Sequence, residues 1–381
     1  MKYDYIITGA GCAGLSLLYN ILIDEKLQKS NILIIDKDQK KANDRTWCYW
    51  EKEVGVFESI VHHKWEKLQF LTDDFEREFD LKKYTYKMIR GLDFYNHVFE
   101  LANKFDNVTF INEEISAIKT VTNFVEVTTN NNVYKAKYIF NSTNLFNPKI
   151  TTKNSLLQHF KGWVIKTKQP IFNSKVGTLM DFRIQQKKGA TFMYVLPTSA
   201  TEALVEYTLF SKNVLHKEAY ISELKNYIKT YLKIDEYEIL HEEFGIIPMS
   251  LANFSRNQKN EKNIINIGTA GGFTKASSGY TFQFIQKNTK AIIANLRAEK
   301  YPLENIHFRE KVYHWYDKTL LDVLLSGKLE GKEIFSTLFK KLPPDVLLAF
   351  LGNESTLLED LKIMASLPLK PFLIAGLNQL K

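Results

Sequence analysis

The order strand, glycine loop, helix, strand, acid over the first 36 residues restricts the fold of this chain more than any other feature. Residues 3–8 (Tyr-Asp-Tyr-Ile-Ile-Thr) are a short, largely apolar run of strand length, and Gly9-Ala10-Gly11-Cys12-Ala13-Gly14 follows at once. Residues 15–24 then read as helix, and 31–36 (Asn-Ile-Leu-Ile-Ile-Asp) as a second buried strand ending in an acid. A βαβ unit of this kind puts its loop where a dinucleotide needs it. Gly9 allows the tight turn out of the strand, Gly11 lets main chain approach a pyrophosphate, and Gly14, next to Ala13, lets helix and strand pack closely. The helix start presents free N–H groups and the positive end of its dipole to the phosphates. Asp36 stands 22 residues beyond Gly14, a spacing suited to accepting a hydrogen bond from a ribose 2′-hydroxyl. A carboxylate there repels a 2′-phosphate, so the loop suits the AMP half of FAD or NAD and disfavours NADP. The competing explanation is a glycine-rich turn in an unrelated α/β fold. Cys12 reads as a small packing residue, because no second cysteine stands near it in sequence.

Beyond this unit the pattern changes to period two. Residues 108–111, 115–121, 125–129 and 133–140, separated by polar turns such as Asn130-Asn131-Asn132, predict a β-meander. Residues 177–182, 190–196 and 203–210 predict the floor of a substrate domain, and 217–233 an amphipathic helix. Residues 263–268 return to a buried strand, followed by a small-residue loop over 268–279 and a long helix over about 280–300. From Tyr313 onward the chain reads as helical, broken at Pro343-Pro344 and Pro368. The expected architecture is mixed α/β: a Rossmann-like dinucleotide part with a β-meander over 1–150, an antiparallel substrate-binding sheet over 151–260, a return to the first domain over 261–300, and a helical region over 301–381. The N-terminal position of the glycine loop favours FAD over NAD. So does the late Gly268-Thr269-Ala270-Gly271-Gly272 loop, which in many two-domain flavoproteins holds the flavin end. Most of those carry Asp where Thr269 stands, so the ribityl contact here falls to a threonine hydroxyl or to main chain.

A length of 381 residues is enough for two subdomains around a shared cofactor. The formal charge of +8 is spread along the chain with no basic block, which argues against nucleic-acid binding and suits a dinucleotide or an anionic membrane surface. The 2 cysteines have neither disulfide nor metal-ligand spacing, and a reducing cytosol fits them. No signal peptide is expected at the N-terminus, and no run approaches the ~20 apolar residues that cross a bilayer. His62-His63 has no partner at metal spacing and is assigned no role.

Asp44-Arg45-Thr46-Trp47-Cys48-Tyr49-Trp50 is a second distinctive segment, since core filler seldom yields two tryptophans and an arginine in that order. Further segments accompany it: Ile89-Arg90-Gly91-Leu92-Asp93-Phe94, Gln158-His159-Phe160-Lys161-Gly162-Trp163 and Phe192-Met193-Tyr194-Val195-Leu196-Pro197, then Ala203-Leu204-Val205-Glu206-Tyr207-Thr208 and Ile267-Gly268-Thr269-Ala270-Gly271-Gly272. Together, from residue 3 to about 290, they resemble the bacterial lycopene β-cyclase family. One departure is Ala276-Ser277-Ser278-Gly279-Tyr280, where the family usually has proline first; the glycine, Gly279, is kept. The resemblance implies an isomerase (an intramolecular lyase) that closes the ψ-ends of lycopene into β-ionone rings without net oxidation. It implies bound FAD in its reduced form, with NADPH or NADH as reductant, and it maps the family's acid onto Glu206. A substrate this apolar resides in lipid, so the expected place is the cytoplasm with peripheral membrane contact.

Ring closure needs a proton delivered to an alkene, a cation kept from water, and a proton removed from the adjacent carbon. By strand alternation Glu206 shares a face with Leu204 and Thr208, and its apolar neighbours favour a protonated carboxyl through desolvation; a solvent-facing strand residue is the other reading. Trp163, Phe192, Tyr194 and Phe282 are the aromatic candidates for the substrate pocket, each worth roughly 0.5–2 kcal/mol to a desolvated cation, with core packing as the alternative. Arg45 and Arg90 suit phosphate or ribityl oxygens, or else surface ion pairs. Asp181 reads as the ion-pair partner of Arg183 rather than a second acid. Trp47 and Trp50 line a tunnel or pack in the core. Residues 363–367 and 372–377 offer an apolar stretch for lipid, or an ordinary packed helix. Rival functions on the same fold are a flavin monooxygenase and an isoprenoid reductase; a non-catalytic carotenoid carrier is the rival from another class.

Overall fold

A computed structural model describes residues 2–122, 124–258 and 261–380. In chain order its elements begin with β1 (Lys2–Thr8), α1 (Cys12–Leu22), β2 (Ile32–Ile35), β3 (Thr46–Glu51), β4 (His63–Trp65), β5 (Lys67–Thr72), β6 (Phe75–Asp80), β7 (Thr85–Arg90) and α2 (Gly91–Ala102). Then come β8 (Val108–Ile111), β9 (Ile115–Val121), β10 (Phe124–Thr129), β11 (Val133–Asn141), β12 (Ser155–Lys166), β13 (Val176–Asp181), β14 (Ala190–Pro197), β15 (Glu202–Ser211), α3 (Lys217–Thr230) and β16 (Glu238–Ser250). The last part holds β17 (Asn257–Gln258), β18 (Glu261–Asn266), α4 (Phe282–Arg297), α5 (Phe308–Ser326), α6 (Gly331–Lys341), α7 (Pro344–Leu351), α8 (Leu357–Ser366) and α9 (Leu369–Asn378).

The first sheet has the order β17-β18-β11-β1-β2-β8, parallel from β18 to β8. Its central strands are apolar on both faces because both faces are covered. Ile7 and Ile34 pack with α1 and α4, whereas Ile6, Leu33 and Ile35 pack with Val125 and Val127 of β10. Only β9, β10 and β11 form the antiparallel meander. Val108–Ile111, expected as its first strand, instead pairs in parallel with β2, because α2 supplies the crossover that a parallel partner requires. That helix went unread in the sequence, although Phe94, Val98 and Ala102 mark its buried stripe.

The second sheet runs β16-β12-β15-β14-β13-β5-β6. It is not confined to residues 151–260, since β5 and β6 come from the N-terminal third and β13 pairs with β5 in parallel. One face carries α3, whose Tyr220, Leu224 and Tyr227 pack with Trp163, Val205 and Tyr207 of the sheet. The other face packs against α6 and α7, with Phe182, Phe192, Phe335 and Leu348 in one core. A small sheet, β3-β7-β4, joins the two cores: Trp50 and Tyr86 belong to this one, Tyr49 and Ile89 to that of the first sheet.

The C-terminal region breaks at the prolines, with Pro344 in the first turn of α7 and Pro368 capping α9. It also breaks at Gly327, whose φ of 64° ends α5, and before Thr356, which opens α8 with a capping box to Glu359. No helix among the described residues is long and apolar enough to cross a membrane.

Candidate active site

A cavity of about 460 Å³ lies between the glycine loop after β1 and the second sheet. Gly11, Cys12 and Ala13 line it from the glycine loop and α1, and Lys40, Arg45, Trp47 and Cys48 from β3 and the segment that leads into it. Tyr194, Leu204, Glu206 and Glu243 come from the sheet, and Gly268, Thr269 and residues 278–282 from the late loop.

The loop has the geometry its spacing predicted. Gly9 has φ of 98°, a conformation that favours glycine, and its N–H donates to the Ile35 carbonyl at 2.8 Å. A Cβ at Gly14 would overlap the Gly9 carbonyl and stand 2.9 Å from Ile7 Cγ2, so the absence of a side chain brings α1 onto β1. A Cβ at Gly11 would meet nothing within 4 Å: this face is open. Asp36 sits behind the loop rather than in the cavity wall. Its carboxylate accepts from Ala10 N at 2.6 Å and Asp38 N at 2.8 Å, with the Lys40 ammonium at 3.7 Å. Lys40, missed in the sequence reading, gives the cavity a second cation beside Arg45. Arg90 does not reach it. Its guanidinium grips Asp93 at 2.7 and 3.1 Å on the surface, because Asp93 stands one turn into α2 beside the strand end. The Thr269 hydroxyl is tied to that of Thr274 at 2.9 Å. Gly271 and Gly272 line a neighbouring cavity of about 730 Å³, which shares Pro248 and Thr269 with the first.

The sheet end holds the acid. Glu206 on β15 and Glu243 on β16 are both in register with Gly162 of β12, which lies between them. Both are buried, at 9% and 7% exposure. A Cβ at Gly162 would stand 3.0 Å from Glu243 Cγ and 3.1 Å from Glu243 Oε1, so the glycine makes room for that side chain to lean across. Thr208 donates its hydroxyl to Glu206 Oε1 at 2.7 Å. Burial pushes the Glu206 carboxyl well above the usual carboxylate range, and the charge of Glu243 adds to this. Burial also raises Glu243, against the pull of hydrogen bonding with Thr46 and Glu206 and of the Arg45 charge. Burial likewise pushes Cys12 up to about 12 and Cys48 well up, so both thiols stay protonated. Glu243, like Lys40, is a site residue that sequence reasoning missed.

Of the expected aromatic residues, Tyr194 and Phe282 line the cavity, and Trp47 lines it too. Phe192 shares the face of Tyr194 but lies deeper, against Phe182 and Phe210. Trp163 is on the wrong face: one position from Gly162, it turns towards α3 and packs with Val205 and Tyr207. Trp50 is a core residue whose indole donates to the Leu348 carbonyl at 3.0 Å. Asp181 is ion-paired with Arg183 at 2.6 Å and accepts from the Tyr227 hydroxyl.

A dinucleotide fits these residues. The open Gly11 face and the start of α1 present N–H groups, with Lys40 and Arg45 as countercharge. Gln158 Oε1, Ser278 Oγ and Glu243 Oε1 are buried along the same cavity without a hydrogen-bond partner among the described residues. Such atoms are costly unless a ligand or proton satisfies them.

The chain is similar over its whole length to proteins of known kind. It is 20% identical over 385 residues to a lycopene beta-cyclase from Pseudescherichia vulneris, covering 97% of this chain and 95% of that protein. A flavoprotein/dehydrogenase from Cytophaga hutchinsonii has the same fold at a TM-score of 0.65 and 13% identity, covering 96% of this chain and 100% of the other. A geranylgeranyl bacteriochlorophyll reductase-like protein from Thermoplasma acidophilum matches at a TM-score of 0.57 and 13% identity, over 98% and 95% of the two chains. The family model described as lycopene cyclase protein matches residues 4–376. The chain belongs to the lycopene cyclase family.

Proposed function

We propose that this chain is a lycopene β-cyclase, closing the ψ-ends of lycopene into β-ionone rings without net oxidation. The observation that carries the reading is a glutamic acid, Glu206, buried in the wall of the cavity that the dinucleotide loop opens into, where burial pushes its carboxyl well above the usual carboxylate range. FAD is the proposed dinucleotide, with Gly9, Gly11, Ala13, Gly14, Asp36, Lys40 and Arg45 at its AMP and pyrophosphate end, and Gly268, Thr269 and Gly279 towards the flavin. Reduced FAD, when bound, supplies an electron-rich ring system next to a developing cation; NADPH or NADH is the proposed reductant. Glu206 gives its proton to the terminal alkene, and the walls keep water from the cation. Tyr194, Trp47 and Phe282 offer it aromatic faces.

Lipid contact is proposed for α8 and α9. Leu358, Leu369 and Leu377 are 72%, 66% and 62% exposed there, whereas Ile363 is buried. Deleting residues 363–381 would also remove the packing of Gly376 on Trp315, so the better test is the pair Leu373→Glu and Leu377→Glu. Unchanged binding to lycopene-bearing vesicles would sink the lipid proposal.

The function is tested by anaerobic incubation of the protein with FAD, NADPH and lycopene in liposomes. An isomer of unchanged mass carrying β-rings is expected, and none with Glu206→Gln. A product gaining hydrogen would point to a reductase, and one gaining oxygen under air to a monooxygenase. Lycopene bound unchanged by both the wild type and the variant would point to a carrier.

A further inference from the structure

We infer that Glu243 is the base that completes the cyclisation, working with Glu206 as a one-proton pair across Gly162. This rests on the proposed function and goes beyond it, since ring closure releases a proton from a ring carbon and that function names no group to accept it.

The two carboxyls share one face of three adjacent strands, with no side chain between them because β12 contributes Gly162 there. Adjacent Glu242 shows the alternative: it faces outward and pairs with Lys161 at 2.5 Å. Among the described residues Glu243 has no such cation in contact, and its Oε1 is buried in the cavity wall without a hydrogen-bond partner. The groups facing the pair are Arg45 and Cys48 of the β3 segment, Tyr86 of β7, Tyr194 of β14 and Tyr280 from the loop before α4. Burial raises the three phenols and the thiol, so each is neutral near pH 7. Arg45 is therefore the cation beside the pair and Glu243 the group there with a lone pair ready to accept a proton.

The balance is closed. At the start Glu206 is protonated and Glu243 ionised. The Glu206 proton goes to the terminal alkene carbon, and the resulting cation is attacked by the second alkene, forming the ring bond. The ring carbon then loses its proton to Glu243 as the new double bond forms. Glu243 returns a proton to Glu206, and no oxidant, reductant or net proton is consumed.

The test compares the wild type with Glu243→Gln, Glu243→Asp and Glu206→Gln, each checked for bound FAD and thermal unfolding. Glu243→Gln should lower ring formation by about 100-fold or more, with part of the rate restored in Glu243→Asp, which keeps a carboxylate. The infrared band of the protonated carboxyl, read on the protein without lycopene, should titrate at lower pH in Glu243→Gln, because Glu206 has lost a like-charged neighbour. A glutamate that carried no charge beside Glu206 would not move that midpoint, and one that carried charge without accepting the proton would leave the rate of ring formation near that of the wild type. Wild-type rate and an unmoved midpoint in Glu243→Gln, with no product from Glu206→Gln, would overturn the pair and leave the cyclase standing. If the wild type itself closes no ring, the proposed function fails. The infrared midpoint still decides the pairing, which is refuted if Glu243→Gln leaves it unmoved.

Discussion

Glu206→Gln should make the protein more stable at neutral pH, by an amount that grows with pH. A carboxyl that titrates higher in the fold than in the unfolded chain binds its proton more tightly when folded. Its contribution is complete below the unfolded value of about 4.5 and is lost as pH rises towards the folded one. Glutamine keeps the shape and still accepts the hydrogen bond from Thr208, so near pH 4.5 the two proteins should unfold alike. Each pH unit above that separates them by about 1.4 kcal/mol, the linkage of one proton. For a carboxyl still protonated at pH 7 the gap is about 3 kcal/mol. With an unfolding entropy of ~2.1 cal/mol/K per residue, that raises the midpoint of this 381-residue chain by about 4 °C. Thermal unfolding of both proteins at half-unit steps from pH 4.5 to 8 measures the divergence. Parallel curves would mean that Glu206 ionises equally in both states, and the reasoning from burial would be wrong.

Other perturbations follow from the same geometry. Gly14→Ala should cost about 1–3 kcal/mol in urea unfolding and lower the flavin-to-protein ratio, since its Cβ drives α1 off β1. Asp317→Ala should cost about 3–5 kcal/mol, because it strands the Lys275 ammonium beside the late loop, where both partners are under 5% exposed; unfolding midpoints check this. Arg45→Ala should weaken FAD binding by about tenfold or more, as loss of a charge-assisted contact does. Arg90→Ala, which removes only the surface pair with Asp93, should leave the dissociation constant from flavin fluorescence unchanged.

The glycine loop was legible because its signal is local: strand, turn and helix are contiguous, and each glycine answers to a neighbour within a few residues. The pairing of β12 with β16 was not, because Gly162 and Glu243 are 81 positions apart and only the register brings them together. A trace of Glu243 was nonetheless present. Two consecutive glutamates on one strand must face opposite sides, so one of Glu242 and Glu243 points inward. Parity also explains the misplaced tryptophan. Gly162 lies opposite Glu206, so Trp163, its immediate neighbour, has to look the other way. Arg90 failed for a different reason. An arginine at a strand end has the same sequence appearance whether it reaches a phosphate or folds back on an acid three residues later.

A raised carboxyl is a weak acid, which sits awkwardly with the protonation of an alkene. The pair resolves the conflict in the proposed chemistry. Before transfer, the dry surroundings and then the charge on Glu243 raise the Glu206 carboxyl well above the usual carboxylate range, so it holds its proton more tightly than an ordinary glutamate. After transfer, two carboxylates face the new cation instead of facing only each other, and their repulsion is offset by attraction to the charge between them. Low-dielectric walls strengthen that attraction. The same field that makes Glu206 reluctant to ionise alone thus stabilises the state in which it ionises against a substrate cation. It also draws the departing proton to Glu243 rather than to water. A cavity with a single buried acid would have the first property without the second. This is why the side-chain-free position at Gly162, which lets the second carboxyl in, matters as much to the site as the acid itself.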